Sequence, residues 1–131
     1  MDLMVGTDLV DIRRMKLALQ RTPRFRERVF TAGEIAYCEK KGDPYSSYAA
    51  RWAAKEAFRK LHPAFVRGLK FTDVEISQEP SGRPFVVASG LAASRIKELR
   101  IKKIDVSMSH SGNYAQAVMV AVASDKGEGS K

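Results

Sequence analysis

The chain holds a single cysteine, Cys38, in 131 residues. A lone thiol excludes an internal disulfide framework and any metal cage built from cysteines. Long apolar runs are missing too, since no stretch approaches the roughly 18–20 residues that a membrane-spanning helix requires. The opening Met1-Asp2-Leu3-Met4-Val5-Gly6-Thr7-Asp8 has neither the basic n-region nor the long apolar h-region of a signal peptide. Internal repeats, zinc-finger spacing, an RNP-type aromatic strand, a GXXG loop and a Walker G-x-x-x-x-G-K-[ST] loop are also absent. These absences lead to the expectation of a cytoplasmic protein without a membrane segment.

Negative charge is the other scarcity. Fifteen acidic residues face 23 basic ones, giving a formal net charge of +8. A small protein this basic is drawn to polyanions: nucleic acid, a membrane surface, a phosphorylated ligand or an acidic protein. The excess is concentrated, because Arg13, Arg14, Lys16, Arg21, Arg24, Arg26 and Arg28 are opposed only by Glu27. Such a run is either a docking face or a solvated helix surface, and charge alone does not choose between them.

The remaining composition, 44% apolar and 29% charged, is that of a globular protein, and the length suits one domain. Residues 1–123 read as that domain. The end, 124–131, is small, polar and Gly-rich and is expected to be a mobile tail. Leu3 to Thr7 reads as a strand ending at Asp8. Asp11 can cap a helix to about Gln20 with Ile12, Met15 and Leu19 on one face. Pro23 suits the first turn of a short helix carrying Phe25 and Val29. Thr31-Ala32-Gly33-Glu34 has capping-box spacing. After the breaker Gly42-Asp43-Pro44 comes the strongest helical stretch, about Ser47 to Leu61. Strands around Val74–Ile76 and Phe85–Ala88, a helix over Leu91–Leu99 and two closing strands complete an α+β domain, a mainly antiparallel sheet packed against helices.

On a helical wheel the long helix gathers Ala49, Ala50, Ala53, Ala54, Ala57, Phe58 and Leu61 on one arc and leaves Arg51, Lys55 and Arg59 opposite. Glu56 and Lys60 sit one turn apart at the border. Alone they are an ordinary i,i+4 surface pair, worth about 0.2–0.5 kcal/mol. Asp8 alters that reading: Gly6 permits close approach, and a strand carboxylate beside a helix carboxylate in a basic protein suits Mg²⁺ held jointly with a phosphate. A lysine one turn away would neutralise charge on a leaving phosphate. Asp8 as a turn residue or helix cap is the alternative.

Gly6-Thr7-Asp8 followed by Trp52-Ala53-Ala54-Lys55-Glu56-Ala57-Phe58-Arg59-Lys60 resembles the paired signature of the 4′-phosphopantetheinyl transferases, G-x-D and then [FW]-x-x-K-E-x-x-x-K. Ser81-Gly82-Arg83-Pro84 is similar to the G-K-P turn of the holo-[acyl-carrier-protein] synthase branch, and Val106-Ser107-Met108-Ser109-His110 to its V-S-[IL]-[ST]-H. The resemblance implies that Asp8 and Glu56 coordinate Mg²⁺ on the pyrophosphate of coenzyme A. It implies that Lys60 assists departure of 3′,5′-ADP, and that Arg51, Gly82, Pro84, His110 and Ser111 line the coenzyme site. It implies an acyl carrier protein as acceptor, docked on Arg14, Arg21, Arg24 and Arg28 with Phe25 as apolar anchor, and a homotrimer with interfacial sites. It gives no role to nucleic acid or a membrane. Trp52 reads as a packing residue.

Two departures stand out. Met4 occupies the first glycine position of the family's G-I-G-x-D, and Leu61-His62-Pro63-Ala64-Phe65-Val66-Arg67-Gly68 replaces its G-T-G-type loop, with Arg67 or His62 as candidate substitutes in phosphate contact. Two rival functions stay open on the sequence: a basic nucleic-acid-binding module and a Mg²⁺-dependent nucleotide hydrolase.

Overall fold

Alanine sets how closely the layers of this protein approach. The computed structural model describes residues 2–125, in the order β1 (Asp2–Asp11), α1 (Ile12–Arg21), α2 (Phe25–Val29), α3 (Ala32–Glu39), α4 (Pro44–Arg59), β2 (Val74–Gln78), β3 (Pro84–Ala88), α5 (Gly90–Glu98), β4 (Ile101–Ser111) and β5 (Tyr114–Ala123). Strands β1, β5 and β4 form an antiparallel sheet in that order, and β2 and β3 form a separate hairpin. Helix α4 lies on the inner face of the larger sheet. Ala49, Ala53, Ala54 and Ala57 of the helix are fully buried, as are Ala115, Ala117 and Ala121 of β5. Small side chains on both layers let the backbones come near, and the apolar area withdrawn from water holds them there. The α+β architecture expected from the pattern is the one observed.

Strand β1 shows the tightest contact. Its exposed Leu3, Val5, Thr7 and Leu9 alternate with Met4, Gly6, Asp8 and Val10, which face α4. A Cβ at Gly6 would fall 1.9 Å from the carbonyl oxygen of Ala57. Only glycine fits, and its absence of a side chain brings the neighbouring Asp8 against the C-terminal turn of α4.

Three boundaries differ from the sequence reading. Strand β1 does not end at Asp8 but pairs with β5 without interruption from Asp2↔Ala123 to Asp11↔Tyr114. The length of the partner strand carries it past the polar Thr7-Asp8 pair. Helix α4 starts at Pro44 rather than Ser47, because Asp43 accepts a hydrogen bond from Tyr45 N at 3.1 Å and proline takes the first turn. Pro23 precedes α2 instead of opening it. The expected caps at Asp11 and Thr31 are both formed, the second as a full capping box with Glu34. Of the tail, Ser124 belongs to the folded body: it is buried, and its N–H donates to Arg100 O at 2.9 Å. Residues 126–131 lie outside the described residues. Among the described residues, no helix is long and apolar enough to cross a membrane.

Candidate active site

The close approach at Gly6 assembles a charged cluster. Lys60, the C-cap of α4, donates to Asp8 Oδ1 at 2.9 Å and to Thr7 O at 3.1 Å. One turn earlier, Glu56 is half-buried, and its pKa is raised first by burial and then by the charge of Asp8, with Arg59 and Lys60 opposing. The three residues expected to carry the chemistry are therefore brought together from β1 and α4. Asp8 is neither a turn residue nor a cap: it lies mid-strand and ion-pairs with Lys60, while Asp11 does the capping. No three His, Cys, Asp or Glu side chains converge among the described residues. A metal here would take two protein carboxylates and complete its shell from water and phosphate, which is the habit of Mg²⁺.

A second feature lies on the other side of α4. A cavity of about 440 Å³ is lined by Lys41, Ser47, Arg51, Gln78, Gly82 and His110 among others. Arg51 is 3% exposed, which the wheel did not suggest for a cation opposite the alanine face. Its guanidinium lies 4.2 Å from the centre of the Tyr37 ring, and Nη1 donates to Ser47 O at 3.3 Å. Nε and Nη2 have no acceptor, nor does Nε2 of Gln78. Buried donors without partners are costly, so these atoms are open to an oxygen acceptor, from solvent or from a ligand. Ser46 Oγ donates to Asp43 Oδ2 at 2.6 Å, and that bond, with a smaller contribution from the charge of His110, holds Asp43 below the usual carboxylate range. The mouth of the cavity thus retains one carboxylate, already engaged.

Of the five residues expected at the coenzyme site, Arg51, Gly82 and His110 share this cavity. Gly82 turns the β2–β3 hairpin at φ 94°, a conformation that favours glycine. Pro84 lies on an adjoining groove with Ser107 and Met108, and Ser111 on a small recess that His110 also lines. Among the expected docking residues, Arg14 and Phe25 share a groove of about 360 Å³ with Asp8 and Trp52. Phe25 is half-buried, packed 5.6 Å from Trp52 and 6.4 Å from Phe30, so its ring is partly engaged within the fold. Arg21, Arg24 and Arg28 are exposed beyond that groove. Trp52 packs on Phe25 and Phe71, as a supporting residue should.

The atypical loop after Lys60 is tied down by side chains. His62 Nδ1 accepts from Ala64 N at 3.0 Å and caps a 3₁₀ turn over Pro63–Phe65. Phe65 is fully buried 4.4 Å from the ring of Phe58. Arg95 Nη1 donates to Ala64 O at 2.5 Å and also to Arg67 O, and Arg59 Nη2 donates to Val66 O at 3.3 Å. Of the two candidate substitutes for the glycine loop, His62 has its Nδ1 lone pair spent on the loop itself, and the side chain of Arg67 is exposed. Cys38 is fully buried, and burial pushes its thiol pKa up to about 11, so it offers no nucleophile.

Lys41, Gln78 and Tyr37 carry no signal in the sequence. Each reaches the cavity or Arg51 only because α3 and the β2–β3 hairpin fold against α4, and no local spacing signals that. Lys55, on the polar side of the helical wheel, is 1% exposed and paired with Glu34 at 2.7 Å. Burial pulls the pKa of Lys55 below the ordinary lysine value while Glu34 opposes the shift.

Comparison with known proteins places this arrangement. Residues 4–119 match the family model described as the 4′-phosphopantetheinyl transferase superfamily. The chain is 37% identical over 125 residues to the holo-[acyl-carrier-protein] synthase of Caldanaerobacter subterraneus subsp. tengcongensis, an alignment covering 95% of this chain and 98% of that protein. It is 40% identical over 124 residues to the protein of the same name from Moorella thermoacetica, covering 95% and 97%. A solved Chronobacterium ammoniagenes ACPS–CoA complex superposes with a TM-score of 0.82 at 28% identity, over 95% of this chain and 99% of that one. With a family model spanning most of its length and relatives matched nearly end to end, the chain belongs to the 4′-phosphopantetheinyl transferase superfamily.

Proposed function

We propose that this protein is a holo-[acyl-carrier-protein] synthase, transferring 4′-phosphopantetheine from coenzyme A to a serine of an apo acyl carrier protein and releasing 3′,5′-ADP. The observation that carries the reading is the Asp8–Glu56–Lys60 cluster, formed by the two motif segments at the Gly6 contact. The relatives matched end to end bear the synthase name, and the superposed structure is a complex with coenzyme A.

The cluster fits Mg²⁺ on its donor set: two hard carboxylates, with the pKa of Glu56 raised first by burial and further by the nearby charge of Asp8, a repulsion that a bound cation would relieve. Asp8 and Glu56 would hold the ion, which supplies charge neutralisation on the pyrophosphate. Lys60, half-exposed and already paired with Asp8, turns its ammonium to the leaving phosphate as negative charge grows there. In the transfer the serine oxygen bonds to the β-phosphorus, the bond to 3′,5′-ADP breaks, and the serine proton leaves with base. Chemistry of this kind depends on positioning and charge. Arg51 offers its unpaired Nε–H and Nη2–H to a further phosphate of the coenzyme, with Lys41 and His110 beside it.

Arg14 and Phe25, on the groove that reaches Asp8, would receive the acidic carrier protein, with Arg21, Arg24 and Arg28 steering its approach. A homotrimer is supported by two features. Leu3, Val5 and Leu9 are 67%, 57% and 63% exposed on the outer sheet face, in register with or beside Val118, Val120 and Val122. Arg51 and Lys60, nine residues apart on one helix, point to opposite sides of it, so one coenzyme reaches both sets most directly where two copies meet. The same reading places the enzyme in the cytoplasm.

The test is intact-mass spectrometry of an apo acyl carrier protein incubated with this protein, coenzyme A and Mg²⁺. A serine-dependent gain of one phosphopantetheine, abolished by EDTA, is the expected result. No gain with several carrier proteins, together with no binding of coenzyme A, would overturn the reading. Sedimentation of the free protein checks the trimer.

A further inference from the structure

The β2–β3 hairpin brings Gln78 and Gly82 to the cavity, yet it shares no strand ladder with the larger sheet. Exposed polar ties run from Arg83 in its turn to Asp105 of β4 at 3.1 Å, and Thr31 Oγ1 donates to Glu75 on β2, but its buried polar attachment to α4 is an ion pair. Lys55 Nζ lies 2.7 Å from Glu34 Oε1, with the two side chains 1% and 0% exposed. The amine also donates to Phe71 O at 2.9 Å and Val74 O at 2.6 Å, at the entry to the hairpin. Glu34 accepts in turn from Ile76 N at 2.8 Å on the outer edge of β2, and from Thr31 N at 2.9 Å at the start of α3. Three elements, α3, α4 and β2, therefore meet at one pair of charges with every ammonium proton engaged. Arg51 lies one turn before Lys55 on the same side of α4, stacked on Tyr37 of α3.

A buried ion pair is a poor source of net stability, since its desolvation offsets most of its attraction. Its bonds are directional, however, and an apolar contact at the same place would let the hairpin slide. We propose that Lys55 and Glu34 are positioning residues for coenzyme binding, fixing the β2–β3 hairpin at the distance from α4 that gives the Arg51 cavity its width. This rests on the coenzyme reading above. The pair touches no substrate; it acts through Arg51 on one side and the Gln78–Gly82 turn on the other.

The double variant Lys55→Met/Glu34→Met removes both charges while keeping side-chain length, whereas Lys55→Met alone strands a buried carboxylate and risks loss of folding. The double variant is expected to unfold cooperatively, to keep the wild-type KM for the carrier protein and to raise the KM for coenzyme A by about tenfold, the scale expected for a slightly misplaced binding element. Hydrogen exchange at the Ile76 amide should quicken in the same variant. A KM for coenzyme A within twofold of wild type, with wild type active, would overturn the pairing role alone. Failure of both variants to fold would assign the pair to stability only and overturn it as well. A wild-type protein that neither binds coenzyme A nor modifies a carrier protein would remove the underlying reading and this proposal with it.

Discussion

Helix α4 presents two lysine–carboxylate pairs five residues apart, and they live in opposite conditions. Lys55 and Glu34 are sealed from water, with the amine bonded to a carboxylate and two backbone carbonyls. Lys60 and Asp8 meet at a similar separation, 2.9 Å, but Lys60 is 53% exposed and Asp8 18%. The same chemistry thus serves architecture in one place and stays available in the other. The difference comes from what each side of the helix packs against. The Lys55 side is covered by α3 and the hairpin, whereas Lys60, at the end of the helix, meets β1, drawn close by Gly6. A pair with all its bonds satisfied internally has nothing left for a ligand. One that shares its charge with solvent can exchange a partner for a phosphate or a metal at little cost.

The contrast can be broken from either end. The largest effect is expected at the exposed pair's site: Glu56→Ala or Lys60→Ala should lower kcat/KM for transfer by about two to three orders of magnitude, the scale for losing one charge-stabilising group. Circular dichroism should show an unchanged fold, and near-normal activity in Glu56→Ala would remove the metal-site argument. Stability should show the reverse order. Urea unfolding of Lys55→Met is expected to lose about 3–5 kcal/mol because Glu34 is left buried and uncompensated. Lys60→Met should change stability by no more than about 1 kcal/mol, as exposed pairs do.

Gly6→Ala sharpens the origin of the exposed site. The added methyl meets the Ala57 carbonyl, and overpacking of this kind costs about 1–3 kcal/mol. Transfer should fall further than that loss explains, because β1 must back away and take Asp8 with it. Charge reversal of Arg14 and Arg21 should chiefly raise the KM for the carrier protein, with the effect shrinking as salt rises. An effect confined to coenzyme A binding would contradict docking on α1.

The smallest effect concerns Glu56 and pH. Its pKa is raised by burial and by Asp8, so in the folded state it holds its proton to higher pH than in the unfolded chain. The stability it contributes is complete below the unfolded pKa and is lost as pH rises through the folded one. Glu56→Gln should therefore raise Tm modestly at neutral pH and lose that advantage in acid. Mg²⁺ should raise the Tm of the wild type and not of the variant, a difference that thermal scans with and without EDTA detect.

Much of this was legible in the residues. The capping box at Thr31 and Glu34 and the cap at Asp11 are local devices, written in adjacent positions and formed as read. The alanine arc of α4 follows from helical period alone. Glu34 shows where such reading stops: the spacing accounts for its bond to Thr31 N, while its bonds to Lys55 and Ile76, 21 and 42 residues away, have no local trace. Arg51, Lys55 and Arg59 fell opposite the alanines and gave no sign that α3 and the hairpin cover that side. Strand β1 ran past Asp8 because its register belongs to β5 as much as to itself.

The sequence by itself determined the periodic elements, their caps, the surplus of positive charge and the motif residues Gly6, Asp8, Glu56 and Lys60, because each depends on neighbours within a turn or two of chain. Tertiary structure alone decided which lysine would be buried, which arginine donors would lack acceptors and how near Asp8 would come to Lys60. Those outcomes depend on distances between segments 21 to 52 residues apart, set by packing of small side chains across layers rather than by any residue's own preference.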